Sequence, residues 1–179
     1  MNNLQVHVSN SILGLLQIER PFFSDLRGRF MTLHIVGELD AYTEKPLRFE
    51  EDNLSLSRKS VLRGMHGDDV TWKLVQCVAG EVFLAVADMR KESPTYRNSI
   101  HLTLNSEIHT QVLIPPGCVN GHQCLSDHSL FVYKQSVPYS GAHRQITVPW
   151  NDPSLNIPWP LPNPILSARD AGISTSSAS

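Results

Sequence analysis

The sequence Lys73-Leu74-Val75-Gln76-Cys77 is followed by a turn signal, Ala79-Gly80, and by a second apolar run, Glu81-Val82-Phe83-Leu84-Ala85-Val86-Ala87. Short apolar runs bounded by turn residues are typical of β-strands. The chain shows almost no helical periodicity around or beyond these runs. This stretch therefore predicts two short strands with a turn between them.

The same alternation of short runs and turns continues along the chain in both directions. Further strand-like runs are Leu13–Ile18, Gly28–Leu33, Leu54–Ser57, Ser99–Leu104, Thr110–Ile114, Ser129–Lys134 and Gln145–Val148. Many short strands at a spacing of roughly 8–12 residues favour a β-sandwich or barrel over βαβ units. We therefore predict an all-β jelly roll of two packed sheets, with small peripheral helices at Gly37–Tyr42 and Ile165–Asp170.

Length and composition exclude several classes of protein. A chain of 179 residues predicts one domain over residues 1–179, with a frayed serine-rich tail at 174–179. The net charge of −2, without a basic stripe, argues against a nucleic-acid partner. Residues 1–10 are polar and are not expected to act as a signal peptide, and no apolar run reaches the ~20 residues that span a bilayer. Three cysteines without CxxC spacing predict reduced thiols in a cytoplasmic protein.

A second strand-like run, Val61-Leu62-Arg63-Gly64-Met65-His66, carries the first residues with useful chemistry. Arg63 and His66 are an odd number of residues apart, so they reach one pocket only if the strand bends near Gly64. The plain alternative for His66 is a surface histidine or a satisfied core histidine. A histidine with its unperturbed pKa of ~6.5 nevertheless suits the abstraction of an acidic proton.

Five other residues extend this candidate site. Lys73 could stabilise a developing enolate oxygen, or it could be a lysine at a sheet edge whose ammonium reaches solvent. Tyr133 could deliver a proton, or it could be a buried phenol with its hydroxyl satisfied. Asp170 could orient His66 if the C-terminal segment folds back, or it could be a solvated charge. Asn120 and His122 follow a rigid Pro-Pro-Gly turn and share a strand face.

The sequence also bears on the binding of a pyrophosphate and of a metal ion. The guanidinium groups of Arg27 and Arg63 have the geometry to hold a pyrophosphate. A catalytic zinc or iron normally needs three or four converging ligands, often with a His-x-His pair, and this pair does not occur in the chain. We therefore predict that the protein binds no metal.

The chain resembles the dTDP-4-dehydrorhamnose 3,5-epimerases, which are sugar-nucleotide epimerases of cupin type. The resemblance covers roughly Phe22 to Ala171. Several ordered blocks carry the resemblance. They are Asp25-Leu26-Arg27-Gly28-Arg29-Phe30, Asp52-Asn53-Leu54-Ser55-Leu56-Ser57, Val61-Leu62-Arg63-Gly64-Met65-His66, Lys73-Leu74-Val75, Gly80-Glu81-Val82-Phe83, Asp88-Met89-Arg90-Lys91-Glu92-Ser93-Pro94-Thr95-Tyr96, Tyr133-Lys134, Trp150-Asn151-Asp152-Pro153, Ile157-Pro158-Trp159-Pro160 and Leu166-Ser167-Ala168-Arg169-Asp170.

The resemblance implies a homodimer without metal or cofactor that acts on a nucleotide-linked 4-keto sugar. It also implies that His66 is the general base, Asp170 the carboxylate paired with it, Tyr133 the general acid and Lys73 a neighbour of the keto oxygen. The positions implied to bind the nucleotide sugar are Arg27, Asn53 and Arg63. C3 and C5 both flank the C4 ketone. The proton on either carbon is therefore acidic, because its removal gives an enolate.

The sequence departs from the family pattern around the predicted pocket. Val119-Asn120-Gly121-His122 stands where the family usually has Ala-His-Gly-Phe, so Asn120 replaces a pocket histidine and His122 an aromatic residue. Thr32 replaces a glutamate, Glu51-Asp52-Asn53 replaces Gln-Asp-Asn, and Gly67-Asp68-Asp69 replaces an aromatic–glutamine pair. These changes resemble the branch that acts on GDP-linked 4-keto heptoses.

The sequence leaves three other readings open. One is an epimerase that inverts a single centre, C3 or C5. Another is a cupin that binds a sugar nucleotide without catalysis, although such a binder has no need of a base and an acid. The third is a metal-dependent cupin oxygenase or isomerase.

Overall fold

The structure, a computed structural model, describes residues 4–173. The regular structure of the described residues is almost entirely β-strand, with two short 3-10 helices at Asp40–Tyr42 and Ala142–Arg144. The strands are β1 (Gln5–Val8), β2 (Leu16–Glu19), β3 (Phe23–Asp25), β4 (Gly28–Phe30), β5 (Glu51–Arg58), β6 (Leu62–Gly67), β7 (Lys73–Ala79), β8 (Glu81–Asp88), β9 (Ser99–Asn105), β10 (Thr110–Ile114), β11 (Cys118–Cys124), β12 (His128–Gln135) and β13 (Ile146–Thr147). The tail predicted to fray at 174–179 lies outside the described residues.

Two antiparallel sheets pack face to face. One has six strands in the order β1-β2-β10-β7-β12-β5, and the other has five in the order β13-β6-β11-β8-β9. A separate two-stranded ribbon joins β3 to β4. The prediction of an all-β sandwich of jelly-roll type is confirmed.

Three apolar clusters explain why β7 and β8 are continuously apolar instead of alternating. The central cluster lies between the sheets and contains Val75 and Leu84. Leu74, on the other face of β7, packs with Leu39 and Leu47 from the segment before β5. Phe83 and Ala85, on the other face of β8, pack with residues of the 146–159 segment. Both faces of these strands are therefore buried, and a strand buried on both faces reads as an unbroken apolar run.

Strand β5 instead alternates between polar and apolar side chains. Ser57 is buried and Asn53 and Ser55 are partly buried, whereas Leu54 and Leu56 are each 61% exposed. The polar side chains thus face the interior of the sandwich near its open pocket. The two leucines face outward on a strand at the edge of the six-stranded sheet.

Some predicted boundaries were wrong. Residues 165–170 do not form a helix: Ile165 makes a parallel bridge to Val61, and one turn closed by the bond from Ala171 N to Ser167 O follows (2.9 Å). Gly172, with a φ of 70°, ends that turn. The run from Leu13 becomes a strand only at Leu16, and the run from Gly28 ends as a strand at Phe30. The predicted strand Gln145–Val148 is reduced to Ile146–Thr147, and β1 and β3 were not predicted.

A buried carboxylate fixes the loop after β8. Asp88 is 0% exposed and accepts hydrogen bonds from Arg90 Nε (2.9 Å) and Nη2 (2.7 Å), Ser93 Oγ (2.7 Å) and Thr95 Oγ1 (2.7 Å). Arg90 also donates to the carbonyl of Leu13 (2.7 Å), which ties this loop to the loop between β1 and β2. Burial acts to raise the pKa of Asp88, but the hydrogen bonds outweigh it and hold the pKa well below its ordinary value.

We expect Asp88→Asn to lower the free energy of unfolding by about 3 kcal/mol near neutral pH, because the Arg90 guanidinium loses its carboxylate partner. The pKa of Asp88 is lower in the folded protein than in the unfolded chain, where it is ~3.9. The stabilisation by the ionised carboxylate is therefore complete above pH ~3.9 and is lost as the pH falls toward the folded pKa. Urea denaturation at pH ~7 and pH ~3 should therefore show a smaller difference between variant and wild type in acid. Asp127→Asn, at an exposed turn, is the control. A difference that does not change with pH would contradict the role of the ionised carboxylate.

The three cysteines Cys77, Cys118 and Cys124 are all free and buried. Burial raises the pKa of Cys77 to about 11 and that of Cys118 to about 12. Cys77 packs in the central cluster. Over residues 4–173, no helix is both long enough and apolar enough to cross a bilayer.

Candidate active site

A pocket of about 330 Å³ opens on the side of the sandwich where β5, β6, β7, β11 and β12 approach one another. Polar and charged side chains dominate its wall. The lining residues are Glu51, Asn53, Ser55, Arg63, Gly64, His66, Lys73, Val75, Asn120, His122, Phe131, Tyr133, Gln135, Tyr139 and Gln145. Seven of the nine residues that the sequence marked for the site are thus brought together here.

His66 and Asp170 form a hydrogen-bonded pair at this pocket. Nε2 of His66 lies 2.6 Å from Oδ1 of Asp170, and the side chains are 20% and 5% exposed. Asp170 also accepts from the backbone N–H of Gly64 (3.4 Å). Burial acts to raise the pKa of Asp170, but the bonds from His66 and Gly64 lower it below the ordinary value. The C-terminal segment therefore brings an ionised carboxylate to one ring nitrogen of His66.

An irregularity opposite Gly64 allows Arg63 and His66 to reach the same pocket. In the β6–β11 pairing, His66 lies opposite Asn120 and Arg63 opposite His122, with a shift of register between them. Gly64 has a φ of 124°, and a Cβ on it would lie 2.5 Å from the Cα of Gly121. Glycine is therefore required where β6 meets β11, and the predicted bend at Gly64 is present.

Lys73 is held beside the histidine. Its side chain is almost fully buried, and Nζ donates to the carbonyl of His66 (3.3 Å) and to Oδ1 of Asn120 (3.4 Å). Burial lowers the pKa of Lys73, and Asp68 opposes this shift. A buried ammonium beside the candidate base can stabilise a negative oxygen in the pocket.

Tyr133 and Arg63 add a phenol and a guanidinium to the pocket wall. Burial raises the pKa of Tyr133, and the nearby Glu51 carboxylate adds to this effect, so the phenol keeps its proton near neutral pH. Arg63 is anchored through Nε to Ser57 Oγ (3.1 Å) and through Nη2 to the carbonyl of Leu56 (3.5 Å), which leaves Nη1 and the second hydrogen of Nη2 available to an anion.

His122 contributes a ring surface and no positive charge. It is 5% exposed and stacks on Phe131, with centroids 4.0 Å apart and planes inclined by 20°. Burial, aided by the charge of Arg63, lowers the pKa of His122 to about 3. The predicted substrate contact of His122 would therefore be made by a neutral imidazole.

Sequence reasoning missed a polar group at the rim that includes Glu51, Gln135 and Tyr139. Glu51 accepts from Gln135 Nε2 (2.9 Å), from the backbone of Tyr139 (2.7 Å) and from Asn53 Nδ2. Glu51 has the same parity along β5 as Asn53, and Gln135 the same parity along β12 as Tyr133, so alternation could have identified both. Tyr139 and Gln145 lie outside regular strands, where no periodic signal exists.

The sequence model of the family described as dTDP-4-dehydrorhamnose 3,5-epimerase matches residues 9–177 of this chain. The match covers nearly the whole sequence, including every residue of the candidate site.

The chain belongs to the dTDP-4-dehydrorhamnose 3,5-epimerase family.

Individual relatives agree with this assignment. The dTDP-4-dehydrorhamnose 3,5-epimerase of Salmonella typhimurium is 36% identical over 172 residues, covering 94% of this chain and 93% of the relative. That of Shigella flexneri is 38% identical over 166 residues, covering 91% of each. The crystal structure of the dTDP-6-deoxy-D-glucose-3,5-epimerase of Legionella pneumophila in complex with dTDP-4-keto-L-rhamnose superposes with a TM-score of 0.88 at 33% identity, covering 95% of this chain and 91% of that one. The predictions of a cupin-type fold and of a sugar-nucleotide epimerase are confirmed.

In this member of the epimerase family, one predicted residue lies away from the pocket of its own chain. Arg27 is in the turn between β3 and β4, where it pairs with Asp25, and its side chain is 90% exposed. It is not part of the pocket wall. The predicted role of Arg27 in binding the nucleotide sugar is therefore not fulfilled within a single chain.

The epimerase pocket contains an ammonium, a guanidinium and several neutral hydrogen-bond donors, which suit an organic anion. Among residues 4–173, no three His, Cys, Asp or Glu side chains cluster as a metal-binding group. His66 is engaged by Asp170, and His122 is buried against Phe131. The sequence expectation that the protein uses no metal stays a prediction.

Proposed function

We propose that the protein inverts C3 and C5 of a nucleotide-linked 4-keto sugar, with His66 as general base and Tyr133 as general acid. The hydrogen-bonded pair of His66 and Asp170, in a pocket that also contains Lys73 and Tyr133, is the observation that carries this proposal. A binding module would not need a buried carboxylate on its histidine. Membership of the epimerase family supports the same chemistry.

The proposed reaction proceeds through an enolate. His66 takes the proton from C3 or C5, the electron pair of the C–H bond forms a C=C bond, and the C4 carbonyl becomes an enolate oxygen. The ammonium of Lys73 stabilises this oxygen. Tyr133 then delivers its proton to the opposite face of the same carbon, and the carbonyl re-forms. One proton is removed and one is returned, so the product is an isomer and no oxidant or reductant is consumed.

The proposed substrate is a dTDP-linked 4-keto-6-deoxyhexose. The relatives from Salmonella and Shigella are named for dTDP-4-dehydrorhamnose, and the Legionella structure contains dTDP-4-keto-L-rhamnose. A GDP-linked 4-keto heptose is the alternative, because Asn120 and His122 replace the usual residues of the pocket wall.

The test offers dTDP-4-keto-6-deoxyglucose and a GDP-4-keto heptose separately to the wild-type protein in D₂O. Proton NMR should show deuterium entering C3 and C5 of the dTDP sugar, together with the inverted product. Exchange at C3 alone would identify a single-centre epimerase. Preference for the GDP sugar would move the assignment to the heptose branch, and exchange in neither substrate would overturn the proposed function.

We also propose that the protein acts as a homodimer. Leu54 and Leu56 form an apolar outer face on an edge strand, and such edges favour pairing with another chain. The ribbon of β3 and β4 exposes Phe23 (68%) and Phe30 (69%) and carries Arg27 at its turn. Association through these surfaces would cover them and could bring Arg27 to the pocket of a second copy.

We expect the double variant Leu54→Lys, Leu56→Lys to be a monomer in size-exclusion chromatography with light scattering, while the wild type elutes as a dimer. Two ammonium groups on the outer face of β5 would repel their counterparts and remove apolar contact area. Leu13→Lys, at a site of similar exposure (55%), is the control and should leave the mass unchanged. A monomeric wild type, or a double variant that stays dimeric, would contradict this interface.

The proposal places the whole of residues 1–179 in one jelly-roll domain and the protein in the cytoplasm. The free, buried state of the three thiols is consistent with a reducing compartment. Cell fractionation would test the location.

A further inference from the structure

Arg169 makes an arrangement beside the candidate base that the proposed mechanism does not use. Its Nη1 donates to Oε1 of Gln145 (2.8 Å) and its Nη2 to Oγ1 of Thr147 (2.6 Å). Gln145 and Thr147 are two residues apart on the edge strand β13 and its approach, and Thr147 lies opposite His66 in the β13–β6 pairing. One guanidinium therefore fastens the C-terminal segment to the edge strand next to the histidine.

The hydrogen bonds constrain where hydrogen atoms lie around the imidazole of His66. The carboxylate of Asp170 is ionised and can only accept, so Nε2 of His66 carries a hydrogen and donates it. Arg169 can only donate, so the oxygen of Thr147 accepts from Arg169, and the hydroxyl hydrogen must point elsewhere. Oγ1 of Thr147 lies 3.5 Å from Nδ1 of His66. The hydroxyl hydrogen of Thr147 is therefore within reach of Nδ1, the ring nitrogen that does not face Asp170.

We propose that Arg169 and Thr147 are positioning residues that, together with Asp170, keep Nδ1 of His66 as its unprotonated nitrogen and fix the plane of the ring. Their importance for turnover rests on the proposed function, in which Nδ1 takes the proton from the sugar. The bond between Thr147 and Nδ1 is long in the free protein, as catalytic hydrogen bonds often are before the substrate binds. Because Nδ1 has a single lone pair, the hydroxyl of Thr147 must turn away from it when the C–H group of the sugar approaches.

The position of Arg169 next to Asp170 in the chain strengthens this inference. The segment that carries both residues is a short stretch of turns, held by the bonds from Asp170 N to Ser167 Oγ (3.1 Å), Ala171 N to Ser167 O (2.9 Å), Gly172 N to Arg169 O (3.1 Å) and Ile173 N to Ala168 O (2.9 Å). Arg169 adds one bond to Thr147 of β13 and one to Gln145 just before it, and so helps to fix where Asp170 lies. Consecutive residues of one turn therefore reach His66 from two sides, Asp170 directly and Arg169 through Thr147.

A lysine could not do the same work as Arg169. A guanidinium presents several donors in a rigid fork and can bridge Gln145 and Thr147 at once, whereas an ammonium is a single point of charge on a flexible stem. Valine at position 147 keeps the shape of threonine without the hydroxyl, and serine keeps the hydroxyl. These substitutions separate the effect of the hydrogen bonds from that of charge and packing.

The first test is ¹⁵N NMR of the imidazole of His66 in the free protein, which does not depend on any substrate. We expect the wild type to have hydrogen on Nε2 and none on Nδ1. Thr147→Val should shift the Nδ1 resonance, Thr147→Ser should restore it, and Arg169→Lys should shift it in the same direction as Thr147→Val. Arg58→Met, which removes an exposed guanidinium at the end of β5, should leave the resonance unchanged. His66 resonances that are identical in the wild type, Thr147→Val and Arg169→Lys would overturn the inference, whatever the activity.

The second test is turnover of the dTDP-4-keto sugar by the same variants and by Arg169→Met. We expect kcat to fall about 10-fold in Thr147→Val and about 10²-fold in Arg169→Met, because small displacements of a reacting group have effects of this size. KM should remain within about twofold, since neither residue holds the nucleotide. Thr147→Ser should recover most of kcat, and Arg58→Met should match the wild type.

The two tests separate failure of this inference from failure of the proposed function. A shifted His66 resonance with an unchanged kcat in Thr147→Val would overturn the positioning role. An inactive wild type whose His66 resonance still responds to Thr147→Val would refute the proposed function and support the positioning of the ring.

Discussion

Replacement of His66 by asparagine should lower kcat by about 10⁴-fold and abolish exchange of the sugar protons with D₂O. Asparagine keeps a polar group near Asp170 but has no basic nitrogen to take a proton. Because Arg63 and the other polar residues of the wall remain, the variant should still bind the nucleotide. Isothermal titration with dTDP would measure this binding, and NMR in D₂O would measure the exchange.

The control for this prediction is His128→Asn, since His128 is exposed at the start of β12. It should exchange and turn over at the wild-type rate. Normal turnover by His66→Asn would refute the assignment of the base. Loss of both turnover and dTDP binding would indicate that the substitution had damaged the pocket as a whole, and thermal unfolding would reveal such damage.

Replacement of Tyr133 by phenylalanine should lower the rate of inversion by about 10³-fold while exchange at the same carbons continues. Removal of the proton depends on His66, whereas its return on the opposite face depends on the phenol. In the variant, His66 can still take a proton, exchange it with solvent and return a deuteron to the face it came from. The result would be deuterium in a substrate of unchanged configuration.

This outcome distinguishes a two-residue mechanism from one in which His66 serves both faces. The measurement is a time course of deuterium content and product formation in the same NMR tube. Tyr42→Phe, which removes an exposed phenol from the 3-10 helix at Asp40–Tyr42, is the control and should behave as the wild type. Equal loss of exchange and inversion in Tyr133→Phe, or unchanged inversion, would contradict the assigned role of Tyr133.

The two predictions also bear on the remaining readings of the sequence. A protein that only binds a sugar nucleotide would show no exchange in the wild type. A metal-dependent isomerase would lose its activity when treated with a chelator. A single-centre epimerase would show the predicted effects of His66→Asn and Tyr133→Phe at one carbon only.

The pattern of short apolar runs and turns was sufficient to predict the all-β architecture. The run at Thr110–Ile114 has the same bounds in the structure, and Lys73–Cys77 and Glu81–Ala87 differ from their strands only at the ends. Such runs are readable because alternation or continuous apolarity follows directly from which faces are buried. The predicted helix at Ile165–Asp170 failed because a bridge between Ile165 and Val61 holds the backbone extended at its start. The sequence of residues 165–170 contains no local signal for that long-range contact.

The sequence alone determined the all-β class, the polar inward face of β5 and the residue types required for proton transfer, because each depends on neighbours along the chain. Only the tertiary structure decided which of these residues meet. It brought Asp170 to His66 across more than a hundred positions, engaged Nδ1 through Thr147 and Arg169, and left Arg27 outside the pocket of its own chain. The reason is physical: the pairing of β6 with β11 and β13, together with the return of the C-terminal turn, sets distances that local periodicity does not encode.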